Sequence, residues 1–276
     1  MREKDRSAET GDVAPEAMAR LDEIRQRAGD RRLAVFLDYD GTLTPIVDRP
    51  DLATLDEAMR AAIARLARQA TVCVVSGRAR DDVEKLVGLD GIVYAGAHGF
   101  DIRGGGRGDL VHEAGDEHVD RIARVAAALR EALSGVPGAL VEDKRYAVAI
   151  HYRQVDPGRV PEVEQAVDEV LAASEELRRT EGKKVIELRP DIDWDKGKAV
   201  LWLLETLDLD GDDVLPLYIG DDVTDEDAFR ALSGRGLSFL VAEEPTETPA
   251  DYRLADPDEV GRFLGELAEL LEERGG

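Results

Sequence analysis

Four short segments carry side chains whose types and spacing could do chemistry. Asp38-Tyr39-Asp40-Gly41-Thr42-Leu43 sets two carboxylates one residue apart, directly behind the apolar run Leu33-Ala34-Val35-Phe36-Leu37. In open α/β sheets ligands bind beyond the carboxyl ends of strands, so two acids there can converge on a metal. Gly41 allows the sharp backbone turn that follows them. Ser76-Gly77-Arg78 ends a second apolar run, Thr71-Val72-Cys73-Val74-Val75. A hydroxyl and backbone amides opening a helix suit phosphate oxygens. Trp194-Asp195-Lys196-Gly197-Lys198 opens another helix, where a cation could neutralise charge developing at phosphorus and hold a nucleophile ionised. Finally, Asp221 to Asp227 puts five acids within seven residues behind the run Tyr218-Ile219-Gly220. Such a density repels itself unless a divalent cation or solvent relieves it. The glycine and terminal glutamate of an EF-hand are not at the required spacing, and an oxygen-only ligand set suits magnesium. Taken singly, a Ser-Gly turn or a helix-opening lysine is an ordinary solvated feature. The weight comes from each segment's place behind an apolar strand or at a helix start.

The elements that must hold these segments can be traced along the chain. Strands are expected at 32–38, 71–75, 92–95, 214–219 and 237–241, each a short continuous apolar run. Helices are expected at 15–28, 56–69 (Met59, Ile63 and Leu66 at helical spacing), 81–87, 196–207, 224–232 and from Pro257 onward. Alternating strands and helices with unbroken apolar strands predict a doubly wound, mostly parallel α/β sheet covered on both faces. The pattern changes in the middle. A helix at 116–133 precedes two strands, 139–142 and 146–152, joined through Asp143-Lys144-Arg145. A helix at 160–173 and a strand pair around Leu177 and 184–188 follow. This reads as an inserted α+β cap. The expected division is a disordered tail over 1–14, a core over 15–108 and 190–276, and a cap over 109–189. The glycine run 104–108 lacks the G-x-G-x-x-G spacing of a nucleotide loop and is expected to be a turn or hinge.

The chain's 276 residues include 60 acidic and 36 basic side chains, a net charge of −24. That balance argues against nucleic acid or an anionic membrane as partner, since both would be repelled. Cys73, the only cysteine, sits in an apolar strand and is expected to be a buried, unreactive thiol. No apolar stretch approaches the ~20 residues of a membrane span. The polar start, Met1 to Arg6, has no apolar segment behind it to act as a signal peptide. A cytoplasmic protein with no membrane partner is expected.

In order, the four segments resemble the four motifs of the haloacid dehalogenase-like phosphatases, with D-x-D-G-T-L and G-D-D-x-x-D as the specific pair. The resemblance narrows at Phe36 to Val47, Gly96-Ala97-His98-Gly99, Lys184 to Pro190 and Ile219 to Phe229. These are similar to trehalose-6-phosphate phosphatases, including the plant enzymes, over roughly residues 32 to 270. Spacing alone would give only a metal phosphatase.

What the resemblance implies is specific. Asp38 attacks phosphorus. Asp40 protonates the leaving sugar oxygen and then deprotonates the hydrolytic water. Mg²⁺ is held by the side chains of Asp38 and Asp221 and the backbone carbonyl of Asp40, with Asp222 and Asp225 orienting the ligands or Lys196. Ser76 and Lys196 hold phosphoryl oxygens, the Asp-Lys-Gly frame favouring Lys196 over Lys198. Arg78, His98, Glu142, Lys144, Arg153, Lys183 and Glu187 bind the sugar phosphate. The partners implied are a small-molecule sugar phosphate and a functionally coupled trehalose-6-phosphate synthase. Three alternatives stay open: a phosphatase of sucrose 6-phosphate or glucosylglycerol phosphate, a catalytically silent regulatory domain, and a phosphomutase. Intact Asp38, Asp40, Lys196 and Asp221 argue against silence.

Overall fold

The computed structural model describes residues 13–47, 49, 52–104, 110–113, 116–174, 176–182 and 184–275. In chain order the strands are β1 (Arg32–Leu37), β2 (Thr71–Val75), β3 (Val93–Gly96), β4 (Asp101–Gly104), β5 (Leu110–Glu113), β6 (Leu140–Asp143), β7 (Val148–His151), β8 (Leu177–Gly182), β9 (Val185–Pro190), β10 (Val214–Gly220), β11 (Leu237–Val241) and β12 (Tyr252–Leu254). The helices are α1 (Leu21–Ala28), α2 (Glu57–Leu66), α3 (Arg80–Val87), α4 (Val119–Ala132), α5 (Val160–Ala172), α6 (Lys196–Thr206), α7 (Glu226–Leu232) and α8 (Pro257–Gly275).

β1 is buried from Leu33 onward because helices cover both its faces. Leu33, Val35 and Leu37 pack with Ile24 of α1, Met59 and Ile63 of α2, and Phe263 of α8. Ala34 and Phe36 point the other way, to Leu203 of α6 and Phe229 of α7. A strand buried on both faces needs no polar alternation, so it reads as one apolar run. The eight-stranded sheet runs β12-β11-β10-β1-β2-β3-β4-β5. Its pairs are parallel from β12 to β3, and antiparallel between β3, β4 and β5.

The other four strands form a separate antiparallel sheet, β6-β7-β9-β8, lying in sequence between β5 and α6. Val148, Ile150, Ile186 and Leu188 on one face pack with Ile122, Leu129, Val163 and Val167 of α4 and α5. The opposite face is polar. Glu142, Ala149, Glu187 and Thr180 stand abreast across it. This is the α+β cap.

Two features differ from expectation. Leu110–Glu113 joins the large sheet, antiparallel to β4, rather than the cap. β4 and β5 lie at the sheet edge and mix Asp101, Arg103 and His112 with apolar residues, so they lack the continuous run that marks the inner strands. Residues 105–109, which take in most of the expected glycine turn or hinge, connect them and lie outside the described residues, as do residues 1–12 of the expected tail. Val13 and Ala14, assigned to that tail, are placed against the core: Val13 bridges Glu247, and Ala14 is buried. Among the described residues, no helix is long and apolar enough to cross a membrane.

Candidate active site

Neighbouring parallel strands deliver their following loops to one place. β1 and β10 pair up to Leu37 opposite Ile219, and the Asp38 amide continues the ladder to the Ile219 carbonyl, 2.9 Å away. Asp38 and the Asp221 loop therefore emerge side by side. On the other flank of β1, β2 delivers Ser76, fully buried, its amide bonded to the Ala95 carbonyl at 2.8 Å. After Asp38 the chain turns at Gly41, with φ +82°. A Cβ there would lie 2.1 Å from Asp221 Oδ2, so the glycine both permits the turn and lets Asp221 approach.

Lys196 opens α6, whose start is capped by Asp195 accepting from the Lys198 amide at 2.8 Å. The Lys196 ammonium is buried and reaches Asp38 Oδ1 at 2.7 Å and Asp225 Oδ1 at 2.6 Å. Lys198 points away to Asp193, so the geometry selects Lys196. Asp225 is fully buried and fully engaged. Its Oδ1 also accepts from the Tyr218 hydroxyl at 2.7 Å, and its Oδ2 accepts from the amides of Asp221 and Asp222, at 3.1 and 3.0 Å.

Carboxylate oxygens of Asp38, Asp221 and Asp225 lie within 4.8 Å of one another. Buried Asp38 and Asp225 with the half-buried Asp221, against one ammonium, leave the cluster short of positive charge. Burial, then the charge of Asp225, pushes Asp221 up to about 7. Burial also pushes Asp38 upward, with Lys196 pulling against it. Burial works to strip the Lys196 proton, but Asp225 and Asp38 outweigh it and hold the ammonium charged. A divalent cation against Asp38 and Asp221 fits this deficit. Asp225 has no oxygen left to offer, which makes it the residue that orients Lys196 and the loop amides.

Arg78 grips Asp40 by both oxygens, at 2.7 and 2.6 Å, and lies 5.3 Å over the Tyr39 ring. Its amide donates to Ser76 Oγ at 3.1 Å. His98 sits in the turn after β3, where Ala97 and His98 both have left-handed φ, +48° and +58°. Its ring lies against Gly77: a Cβ on that glycine would be 2.8 Å from His98 Cε1. Burial lowers the His98 pKa, so it faces Glu187, 3.6 Å away, as a neutral ring. Lys144, from the β6–β7 turn, approaches the same carboxylate at 3.2 Å and supplies the charge. Burial would raise Glu187, but His98 and Lys144 together hold it well below the ordinary range. Beside it, Glu142 bonds His151 at 2.8 Å, and that bond lowers the Glu142 pKa.

Asp38, Asp40, Ser76, Arg78, Lys196, Asp221 and Asp225 thus gather around the ends of β1, β2 and β10, with Lys144, Glu187 and Glu142 on the cap side and His98, from the turn after β3, facing Glu187. Asp222 is exposed and contributes its amide to Asp225. Arg153 is exposed beyond β7, and Lys183 lies outside the described residues. Sequence reasoning gave no role to Tyr218, His151 or Thr42, whose hydroxyl reaches Asp221 at 3.4 Å. The signal for Tyr218 was a lone phenol in an otherwise apolar strand, which when buried needs a partner.

A doubly wound sheet with an inserted cap, its acids behind two adjacent strands and beside a buried lysine, has the haloacid dehalogenase-like fold. One such protein from Bacteroides thetaiotaomicron shares the fold (TM-score 0.59, 18% identity, covering 88% of this chain and 99% of that one). Residues 36–258 match the trehalose-phosphatase family, and the chain belongs to it. Trehalose-phosphate phosphatase B of Arabidopsis thaliana is 40% identical over 266 residues, covering 92% of this chain and 71% of that protein. The C-terminal domain of C. albicans trehalose-6-phosphate phosphatase superposes with a TM-score of 0.73 at 25% identity, covering 94% of this chain and 99% of that one.

Proposed function

We propose that the protein hydrolyses trehalose 6-phosphate to trehalose and phosphate, with Mg²⁺, through an aspartyl-phosphate on Asp38. The observation that carries the reading is the buried Lys196 ammonium held between Asp38 and Asp225, with Asp221 alongside. Mg²⁺ held by Asp38 and Asp221 would supply positive charge to the phosphoryl oxygens. Lys196 favours the ionised Asp38 and is kept in place by Asp225. The Asp38 carboxylate forms its bond to phosphorus as the sugar–oxygen bond to phosphorus breaks, and a proton from Asp40 goes to the leaving oxygen. Water then attacks the acyl phosphate, gives its proton to Asp40, and frees Asp38 and inorganic phosphate. Arg78 grips both Asp40 oxygens, so a substrate oxygen that engages Arg78 frees Asp40 for this proton work. Ser76 would hold a phosphoryl oxygen. Glu187, Lys144, Glu142, His98, Arg153 and Lys183 would read the sugar, since carboxylates accept from its hydroxyls and cations donate to them. Coupling to a trehalose-6-phosphate synthase supplying the substrate belongs to the same reading.

Phosphate release from a panel of sugar phosphates, with and without Mg²⁺, tests it. Trehalose 6-phosphate should be hydrolysed with the highest efficiency. A preference for sucrose 6-phosphate or glucosylglycerol phosphate would overturn the substrate assignment, and full turnover in excess chelator would remove the metal.

A further inference from the structure

The turn that carries Lys144 is seated on the catalytic half of the molecule. Tyr146, 2% exposed, packs its ring on Phe100, with centroids 5.9 Å apart and planes 29° from parallel. With Ala97 they form a small separate cluster, bordered by Val119 at the start of α4 and by Ile192 and Trp194 after β9. Both passages of the chain between the two sheets thus border this one contact. Arg145 spans it: its guanidinium lies 5.0 Å over the Tyr146 ring and 3.9 Å from the Asp101 carboxylate. Asp101 is itself buried and faces Arg80 at 3.3 Å and Arg103 at 3.8 Å.

Arg145 has φ +67°, a left-handed backbone that disfavours any side chain relative to glycine. A turn needed only to reverse the chain is best served by glycine or asparagine. Here the position carries a long cation that reaches the core. Two backbone bonds, Lys144 N to Ala147 O and Tyr146 N to Lys144 O, both 2.8 Å, fix Lys144 to the seated residues. The same core segment also holds His98 against Glu187.

From this geometry we infer that Arg145 and Tyr146 are positioning residues. They seat the β6–β7 turn on Phe100 and Asp101, and so set where Lys144 and Glu187 stand over the catalytic carboxylates. The inference rests on the reading of those two residues as sugar-recognising. It leaves the phosphoryl chemistry at Asp38 untouched.

Arg145→Gly, Tyr146→Ala and the conservative Tyr146→Phe test it, assayed on the parent's best sugar phosphate and on an aryl phosphate. Arg145→Gly should melt at or above the parent's temperature, because glycine relieves the left-handed backbone. Its KM for the sugar phosphate should nonetheless rise about three- to tenfold, the ordering penalty of one or two long side chains. Tyr146→Ala should raise KM similarly, Tyr146→Phe should restore it, and aryl phosphate turnover should hold within about twofold. Unchanged sugar-phosphate KM in both Arg145→Gly and Tyr146→Ala overturns the inference. So do equal losses on both substrates, which would make the seat a support of the core. If the parent's best substrate is not trehalose 6-phosphate, the substrate assignment falls while the seat is still judged on that other sugar. A parent active on aryl phosphate alone overturns both.

Discussion

On the proposed mechanism the reaction turns on a few atoms of Asp38 and Lys196. Asp38→Asn keeps the shape but replaces the nucleophilic oxygen pair with an amide, and Lys196 retains Asp225 as partner. Turnover should fall by more than the roughly 10²–10⁴-fold typical of a lost acid–base group, with the urea midpoint near the parent's. Activity above about one per cent would rule out an aspartyl-phosphate. Lys144→Ala makes the complementary case. Losing a hydrogen bond to a charged group is worth ~1.5–3 kcal/mol, so efficiency on trehalose 6-phosphate should drop roughly ten- to over a hundredfold. An aryl phosphate, which lacks the sugar, should be far less affected. Glu187 adds a pH signature. Its carboxyl is held below its ordinary 4.5, so the unfolded chain binds the proton more readily than the folded one. The stabilisation is therefore complete above about pH 4.5 and fades as pH falls towards the folded value. Glu187→Gln should be less stable than the parent at pH 7, with the gap narrowing below pH ~4.5 in urea titrations. A gap constant across that range would contradict the assignment.

At the scale of strands and helices, legibility followed burial. β1, β2, β10 and β11 were readable because helices cover both faces, leaving uninterrupted apolar runs. β4, β5 and β12 were not, being short or at an edge where polar residues intervene. The candidate side chains behind strands were legible by position, while their pairings were not. Nothing local links Arg78 to Asp40, or Tyr218 to Lys196 through Asp225. Those contacts arise from sheet register and loop return, which join residues distant in sequence. Which of Lys196 and Lys198 reaches Asp38 likewise shows only in three dimensions. Two residues along a helix turn a side chain by ~200°, and Lys198 faces Asp193 at the surface. Lys196→Ala should abolish turnover, and Lys198→Ala should leave kcat within about twofold. A comparable loss in both would mean the helix start itself, rather than the Lys196 ammonium, is what catalysis requires.

Over the whole molecule, a net charge of −24 makes the binding of a doubly charged phosphate ester unfavourable at long range. On the proposed reading, the site would answer locally with Arg78, Lys144 and Lys196, and with a divalent cation held by Asp38 and Asp221. Chelation should abolish activity, Mg²⁺ should restore it, and Ca²⁺ should inhibit, because its looser, higher coordination misplaces the nucleophile. Mg²⁺ should also raise the melting temperature, as any ligand of the folded state does. Activity supported equally by Ca²⁺ would contradict an octahedral site.

The pairing of β1 with β10 carries a further consequence for how the molecule comes into being. Of the two parallel neighbours of β1, β2 follows closely in sequence, but β10 comes only after the whole cap. The cap is different. Its strands and helices are contiguous from Val119 to Pro190, and its strands pair with one another, so it can close while the Leu33–Leu37 run still waits for β10. Non-local pairing is slow and leaves apolar surface open meanwhile. The nascent chain therefore passes through a stage in which the cap is built, one flank of β1 is still open, and Asp38 has neither Lys196 nor Asp221 beside it. The candidate site is complete only once α6 and the loop after β10 have joined β1.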